Sequence, residues 1–125
     1  MSGASPRILI VEDDYIVSVE IENALLAAGF DVVGVVGAAD EAVEHARVSR
    51  PTLVVMDVRL RGANDGVDAA LEIYRETGAR CIFATAHQDR VVRNRARPAA
   101  PLGWLAKPYE TSALVALIRK VLAAD

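Results

Sequence analysis

Residues suited to metal and phosphate chemistry recur in one setting along this chain, just beyond an apolar run. Glu12 and Asp13 follow Ile8-Leu9-Ile10-Val11, and Asp57 follows Leu53-Val54-Val55-Met56. Thr85 follows Cys81-Ile82-Phe83-Ala84, and Lys107 closes Leu102-Gly103-Trp104-Leu105-Ala106. Three carboxylates gathered in one crevice would raise each other's pKa unless a cation sat among them. Hard oxygen donors without a nearby Cys or His triad favour Mg2+, or Mn2+ as a substitute. A hydroxyl and an ammonium group would complete a set suited to a transferring phosphoryl group. Taken singly, each residue has a plainer reading. Asp57 could cap the next turn, Thr85 is a common strand-end residue, and Lys107 before Pro108 could be simply solvated.

The elements that must carry these residues decide between the readings. Uninterrupted apolar runs of four or five residues are the mark of strands buried on both faces, as in parallel sheets. Between them lie helical stretches. Val17, Ile21, Leu25 and Ala28 form one stripe from Tyr15 to Ala28, with Gly29 placed for a left-handed cap. Asp31 to Val36 is strand-like. Asp40 is the expected N-cap of a helix from Glu41 to about Val48, ended by Pro51. After an Asp65-Gly66 turn, a helix from about Val67 to Glu76 should present Val67, Ala70, Leu71 and Tyr74 inward, and Gly78 ends it. Gln88 to Pro101 is the least regular stretch, with room for only a short helix near 89–95 before Pro98 and Pro101. A last helix opens at Thr111 or Ser112, with Leu114, Leu117, Ile118, Val121 and Leu122 on its apolar face.

Five strands alternating with about five helices predict βαβ crossovers and a doubly wound α/β fold with a parallel sheet. The strand order 2-1-3-4-5 is borrowed from the common arrangement for such sheets. It makes strands one and three neighbours and places Glu12, Asp13 and Asp57 at one edge, where ligands of such sheets bind. Thr85 and Lys107 reach the same edge from strands four and five. In this constellation Asp57 would be a nucleophile forming an aspartyl phosphate. A metal and Lys107 would neutralise the phosphoryl oxygens, and Thr85 would hydrogen-bond one of them.

Composition narrows the class further. The chain is 53% hydrophobic and 5% aromatic, so its core is aliphatic. Its net charge of −3 is the wrong sign for a general nucleic-acid footprint. The single cysteine, Cys81, allows no internal disulfide and reads as a small buried hydrophobe. No apolar run approaches the ~20 residues of a membrane span, and the expected setting is cytoplasmic. Residues 1–6 are expected to be a disordered leader to one domain from 7 to 125.

These pieces carry a resemblance. Ile8-Leu9-Ile10-Val11-Glu12-Asp13-Asp14, Val55-Met56-Asp57-Val58, Gly66, Ala84-Thr85-Ala86 and Lys107-Pro108-Tyr109 resemble, in order and spacing, a response-regulator receiver domain of two-component signalling. The resemblance covers about Arg7 to Ala123. It implies a flavodoxin-like receiver fold. It implies that Asp57 accepts a phosphoryl group from a histidine kinase or a histidine phosphotransferase. It also implies that Mg2+ is held by Asp13, Asp57 and the backbone carbonyl of Arg59, with Glu12 acting through water. The domain would act as a switch on an unidentified downstream protein rather than as a turnover enzyme. The alternative is a phosphate shuttle or sink to a histidine phosphotransferase. A hydrolase would need a second base near the nucleophile, and none is found.

Some features depart from the family pattern. The switch aromatic of the fifth strand, usually Tyr or Phe in that family, is matched by Trp104, a larger ring that either moves on activation or stays fixed as core. Arg90, Arg93, Arg95 and Arg97 crowd the fourth-helix region, either as a solvated basic face or as a docking surface for an acidic partner. That face is also a candidate for homodimerisation. The stretch Asn64 to Asp68 resembles single-domain and sensor-coupled receivers of alphaproteobacterial type. Arg59 and His87, each two positions beyond a site residue, should flank the phosphoryl group and modulate its lifetime.

Overall fold

A computed structural model of the chain describes residues 5–86 and 90–124. Five parallel strands, β1 (Arg7–Val11), β2 (Asp31–Val36), β3 (Leu53–Asp57), β4 (Arg80–Thr85) and β5 (Gly103–Ala106), form one sheet in the order β2-β1-β3-β4-β5. Five α-helices connect and follow them: α1 (Tyr15–Ala27), α2 (Ala39–Ser49), α3 (Gly66–Thr77), α4 (Arg90–Ala96) and α5 (Thr111–Ala123). A short 3-10 turn, Arg97–Ala99, continues α4. Among the described residues no helix is long and apolar enough to cross a membrane.

The apolar runs are continuous because both faces of the sheet are covered, and successive side chains alternate between them. Ile8, Ile10, Leu53, Val55 and Ile82 pack with Ile21 and Leu25 of α1 and Leu114 and Ile118 of α5. Leu9, Val11, Val54, Met56, Cys81 and Phe83 pack on the other face with α2, α3 and Ala96 of α4. Strands one and three are paired from Ile8↔Leu53 to Val11↔Met56, so their carboxyl ends lie side by side. β4 and β5 continue the sheet with Asp57↔Ala84 and Thr85↔Ala106 in register. At the opposite edge, the Arg7 guanidinium donates to the Ser49 and Arg50 carbonyls at the end of α2, where a cation suits the helix dipole. Pro6, expected in the leader, accepts a hydrogen bond from the Asp31 N–H.

Two sequence expectations need correction. α2 begins at Ala39 with Ala38 as its N-cap, and Asp40 lies in the first turn, where its carboxylate faces the positive helix end. Burial of Ala39, together with Ala42, Val43 and Ala46, sets this earlier start. The inward face of α3 is Gly66, Val67, Ala69, Ala70 and Ile73, while Tyr74 lies at the surface. Small residues let α3 sit close to the sheet and turn it by one position. The arginines of the fourth-helix region are exposed, and some of them are also engaged within the fold. Arg95 pairs with Asp65 at 2.9 Å and with Asp68 at 3.2 Å. The Arg93 guanidinium lies 4.9 Å from the centre of the Trp104 ring.

Candidate functional site

β1 delivers Glu12 and Asp13 immediately past its last apolar residue, and the turn is then tied off by Asp14. The Asp14 carboxylate accepts the Val17 N–H at 3.2 Å and caps α1. The Asp14 N–H donates to Glu12 Oε2 at 3.1 Å and fixes that carboxylate. β3 ends on Asp57, and the Arg59 N–H donates to Asp57 Oδ1 at 3.2 Å. The chain then loops out and returns at Gly66, whose N–H donates to the Val58 carbonyl at 2.8 Å. A Cβ on Gly66 would stand 1.9 Å from the Asp57 carbonyl oxygen, so only glycine permits this approach. β5 hands over to Lys107, whose N–H is held by the Thr85 carbonyl at 2.9 Å.

The result is a compact charged cluster. One carboxylate oxygen from each of Glu12, Asp13 and Asp57 lies within 4.8 Å of the others. Glu12 and Asp57 are each only 5% exposed, and Asp13 is half-buried. The Lys107 ammonium lies 3.1 Å from Asp57 Oδ2 and 3.2 Å from Glu12 Oε1. Burial, reinforced by the charge of Asp57, pushes the Glu12 pKa up, against the Asp14 N–H and Lys107, which pull it down. Burial alone would lower the pKa of Lys107, but the two carboxylates outweigh it and raise it. The ammonium is therefore held charged.

Three converging oxygen donors, two of them buried and still carrying excess negative charge, fit a hard divalent cation. Lys107 neutralises only one unit of that charge. An Mg2+-sized ion would offset both the burial and the Asp57 charge that raise Glu12.

The structure thus brings together Glu12, Asp13, Asp57 and Lys107. Thr85 is buried at the end of β4, on the same edge. Arg59 is exposed, and its backbone rather than its side chain is tied to Asp57. Trp104 sits beside the edge without joining the cluster. Its ring stacks on Phe83, its register partner, at 4.7 Å between centroids and 23° between planes. His87 lies outside the described residues. Two neighbours were not legible from sequence. Arg61 Nε reaches to 3.7 Å from Asp13 Oδ2 out of a loop with no periodicity to place it. The Tyr109 hydroxyl is buried without a hydrogen-bond partner among the described residues. Its pKa is pushed up to about 12 by burial and by the charge of Glu12.

The fold and this cluster can be set beside known proteins. The response regulator receiver domain family matches residues 8–119. The chain belongs to that family. This receiver is 38% identical over 112 residues to the transcriptional regulatory protein PdtaR of Mycobacterium tuberculosis, covering 90% of this chain and 54% of that protein. The receiver domain of a modulated diguanylate cyclase from Desulfovibrio desulfuricans superposes with a TM-score of 0.87 at 34% identity, over 96% of this chain and 95% of that one. The receiver domain of a sensor histidine kinase from Pseudomonas aeruginosa, solved with a magnesium ion coordinated in its active site cleft, superposes with a TM-score of 0.82. It is 30% identical over 96% of this chain and 99% of that one. The chain spans about half the length of PdtaR. A receiver domain is a phosphoacceptor module of two-component signalling, and the family accounts for an acid cluster at the carboxyl edge of the sheet.

Proposed function

We propose that Asp57 is the phosphoacceptor of this receiver and that Lys107, Thr85, Asp13 and Glu12 prepare it. The observation that carries this reading is the position of the Lys107 ammonium, 3.1 Å from Asp57 Oδ2 inside the three-carboxylate cluster. In the transfer, an Asp57 Oδ attacks the phosphorus of a phosphohistidine on a histidine kinase or phosphotransferase. An O–P bond forms, the N–P bond breaks, and the imidazole leaves with the electron pair. Lys107 holds its charge against the phosphoryl oxygens as they approach, and the Thr85 hydroxyl hydrogen-bonds one of them. The Arg59 N–H keeps Asp57 oriented through its other oxygen.

The metal site would take Mg2+, or Mn2+ in its place, on Asp13, Asp57 and the Arg59 carbonyl, with Glu12 acting through bound water. Bound there, the ion supplies further charge neutralisation at the phosphoryl group. The module acts as a switch rather than a turnover enzyme. Phosphorylation biases a two-state equilibrium in the Thr85 loop, α4 and Trp104, and so changes binding to a downstream protein. Two features support a protein partner: the net charge of −3, and the engagement of Arg95 with Asp65 and Asp68 rather than with an outside anion.

Intact mass after incubation with acetyl phosphate and Mg2+ tests the phosphoacceptor. One added phosphoryl group is expected in the parent and none in Asp57→Asn. An adduct that survives in Asp57→Asn would move the acceptor elsewhere.

A further inference from the structure

The three carboxylates of the cluster are not served by one cation. Lys107 lies 3.1 Å from Asp57 Oδ2 and 3.2 Å from Glu12 Oε1, while Asp13 has a partner of its own. Arg61 Nε stands 3.7 Å from Asp13 Oδ2. Backbone pairing brings Arg61 to that place. β1 lies between β2 and β3 in the sheet and ends at Val11. Beyond that point Ala38, after β2, and Arg61, after β3, form an isolated parallel bridge. The Gly37-Ala38 connection also runs along Asp13, since a Cβ added to Gly37 would stand 3.6 Å from the Asp13 Cα. Asp13 and Arg61 are thus held against the same short stretch of chain. The Arg61 side chain is 86% exposed and reaches Asp13 from the solvent side.

Charge decides what Arg61 does there. With all three carboxylates ionised, Lys107 leaves two net negative charges in the cluster, which one divalent ion matches. Arg61 is a cation beyond that balance. Its guanidinium stays charged at any physiological pH. It engages an Asp13 oxygen that a divalent ion can use, and it repels an ion held on the other. An exposed pair at this distance is weak and screened by salt. Arg61 therefore yields to a divalent ion, but the pairing it gives up is subtracted from the affinity of that ion. Mg2+ keeps several waters and takes few direct protein oxygens, so competition at one carboxylate is felt in the whole site.

We propose that Arg61 sets the divalent-cation affinity of this site by competing with the ion for Asp13. In this role Arg61 acts through Asp13 and needs no contact with Asp57. The proposal rests on Asp13 being a metal ligand, as in the function proposed above.

The test is calorimetric titration of the 125-residue chain with Mg2+, in low salt and again with added NaCl. The parent is compared with Arg61→Gln, Arg61→Lys and Arg61→Glu, and thermal unfolding of each separates a change in affinity from a change in folding. Arg61→Gln removes the charge and should tighten the Mg2+ Kd about twofold to fivefold, the range of one surface ion pair. Arg61→Lys keeps the charge and should stay near the parent. Arg61→Glu adds a carboxylate and should bind more tightly than Arg61→Gln. Added salt should bring the parent and Arg61→Gln together. A Kd that is unchanged or weakened in Arg61→Gln would overturn the proposal while leaving Asp13 as a ligand. So would a tightening that Arg61→Lys shares, or one that salt leaves intact. A parent that takes up no Mg2+ would overturn both readings.

Discussion

Helices α3 and α4 follow consecutive strands and cover the same face of the sheet, yet they are held by opposite means. α3 has twelve residues, buries Gly66, Val67, Ala69, Ala70 and Ile73, and opens with a capping box in which Asp65 and Asp68 each accept the other's N–H. α4 has seven residues and buries Ala96, with Val92 only partly covered. Arginines add to its attachment. Arg95 forks onto Asp65 and Asp68, and Arg93 lies over Trp104, which stacks in turn on Phe83. Apolar burial holds α3 regardless of salt, whereas exposed ion pairs are weak and screened. The contrast assigns rigidity to the helix that follows the Asp57 loop and adjustability to the helix that follows Thr85. Helices that move in a switch are drawn from the less stable parts of a fold. Asp65 belongs to both regions, as cap of one and anchor of the other.

The comparison can be broken at each level. Ile73→Ala should cost about 2–5 kcal/mol in denaturant unfolding, since it empties a fully buried site. A loss below ~1 kcal/mol would mean that α3 is not held by its core. Asp65→Ala should cost about 1–2 kcal/mol by removing the cap. It should also lower hydrogen-exchange protection across α4, because Asp65 anchors Arg95 as well as capping α3. Arg95→Ala should cost less than ~1 kcal/mol globally but loosen α4 selectively, with the difference from the parent shrinking as salt is added. Equal losses in low and high salt would show that packing, not charge, attaches α4.

The smallest effect is on pH dependence. Burial alone would raise the Asp65 pKa, but Arg95 and the Asp68 N–H outweigh it and hold the carboxyl below its ordinary value. A depressed folded pKa means the stabilisation is present above the unfolded pKa of about 3.9 and is lost as pH falls through the folded pKa. Protection of α4 should therefore be flat from about pH 7 to pH 5 and fall below about pH 4. Protection that stays level through that lower range would remove Asp65 as the anchor.

The same contrast explains what could be read from the sequence. Strands such as Ile8-Leu9-Ile10-Val11 announce themselves because both faces are apolar, and a polar residue at the end marks the sheet edge. Glu12, Asp13, Asp57, Thr85 and Lys107 were legible for that reason, once the strand order made β1 and β3 neighbours. The inward face of α3 was misjudged because Val67, Ala70 and Tyr74 fit a helical stripe about as well as Val67, Ala70 and Ile73. The choice depends on how closely Gly66 and Ala69 let the helix approach. Arg93 over Trp104 and Arg95 on Asp65 join residues far apart in sequence, and no local period encodes such pairings. Tyr109 was quoted as part of the Lys107-Pro108-Tyr109 match, but its buried hydroxyl depends on the three-dimensional site.

The most direct test of the whole account is phosphoryl transfer followed by intact mass, with Trp104 fluorescence recorded in the same sample. Incubation of the parent with acetyl phosphate and Mg2+ should add one phosphoryl group, and Asp57→Asn and metal removal should each abolish it. A fluorescence change that tracks the adduct would tie the charged edge to the Arg93–Trp104 side. Failure of the parent to take up a phosphoryl group from either acetyl phosphate or a phosphohistidine donor would contradict the central claim.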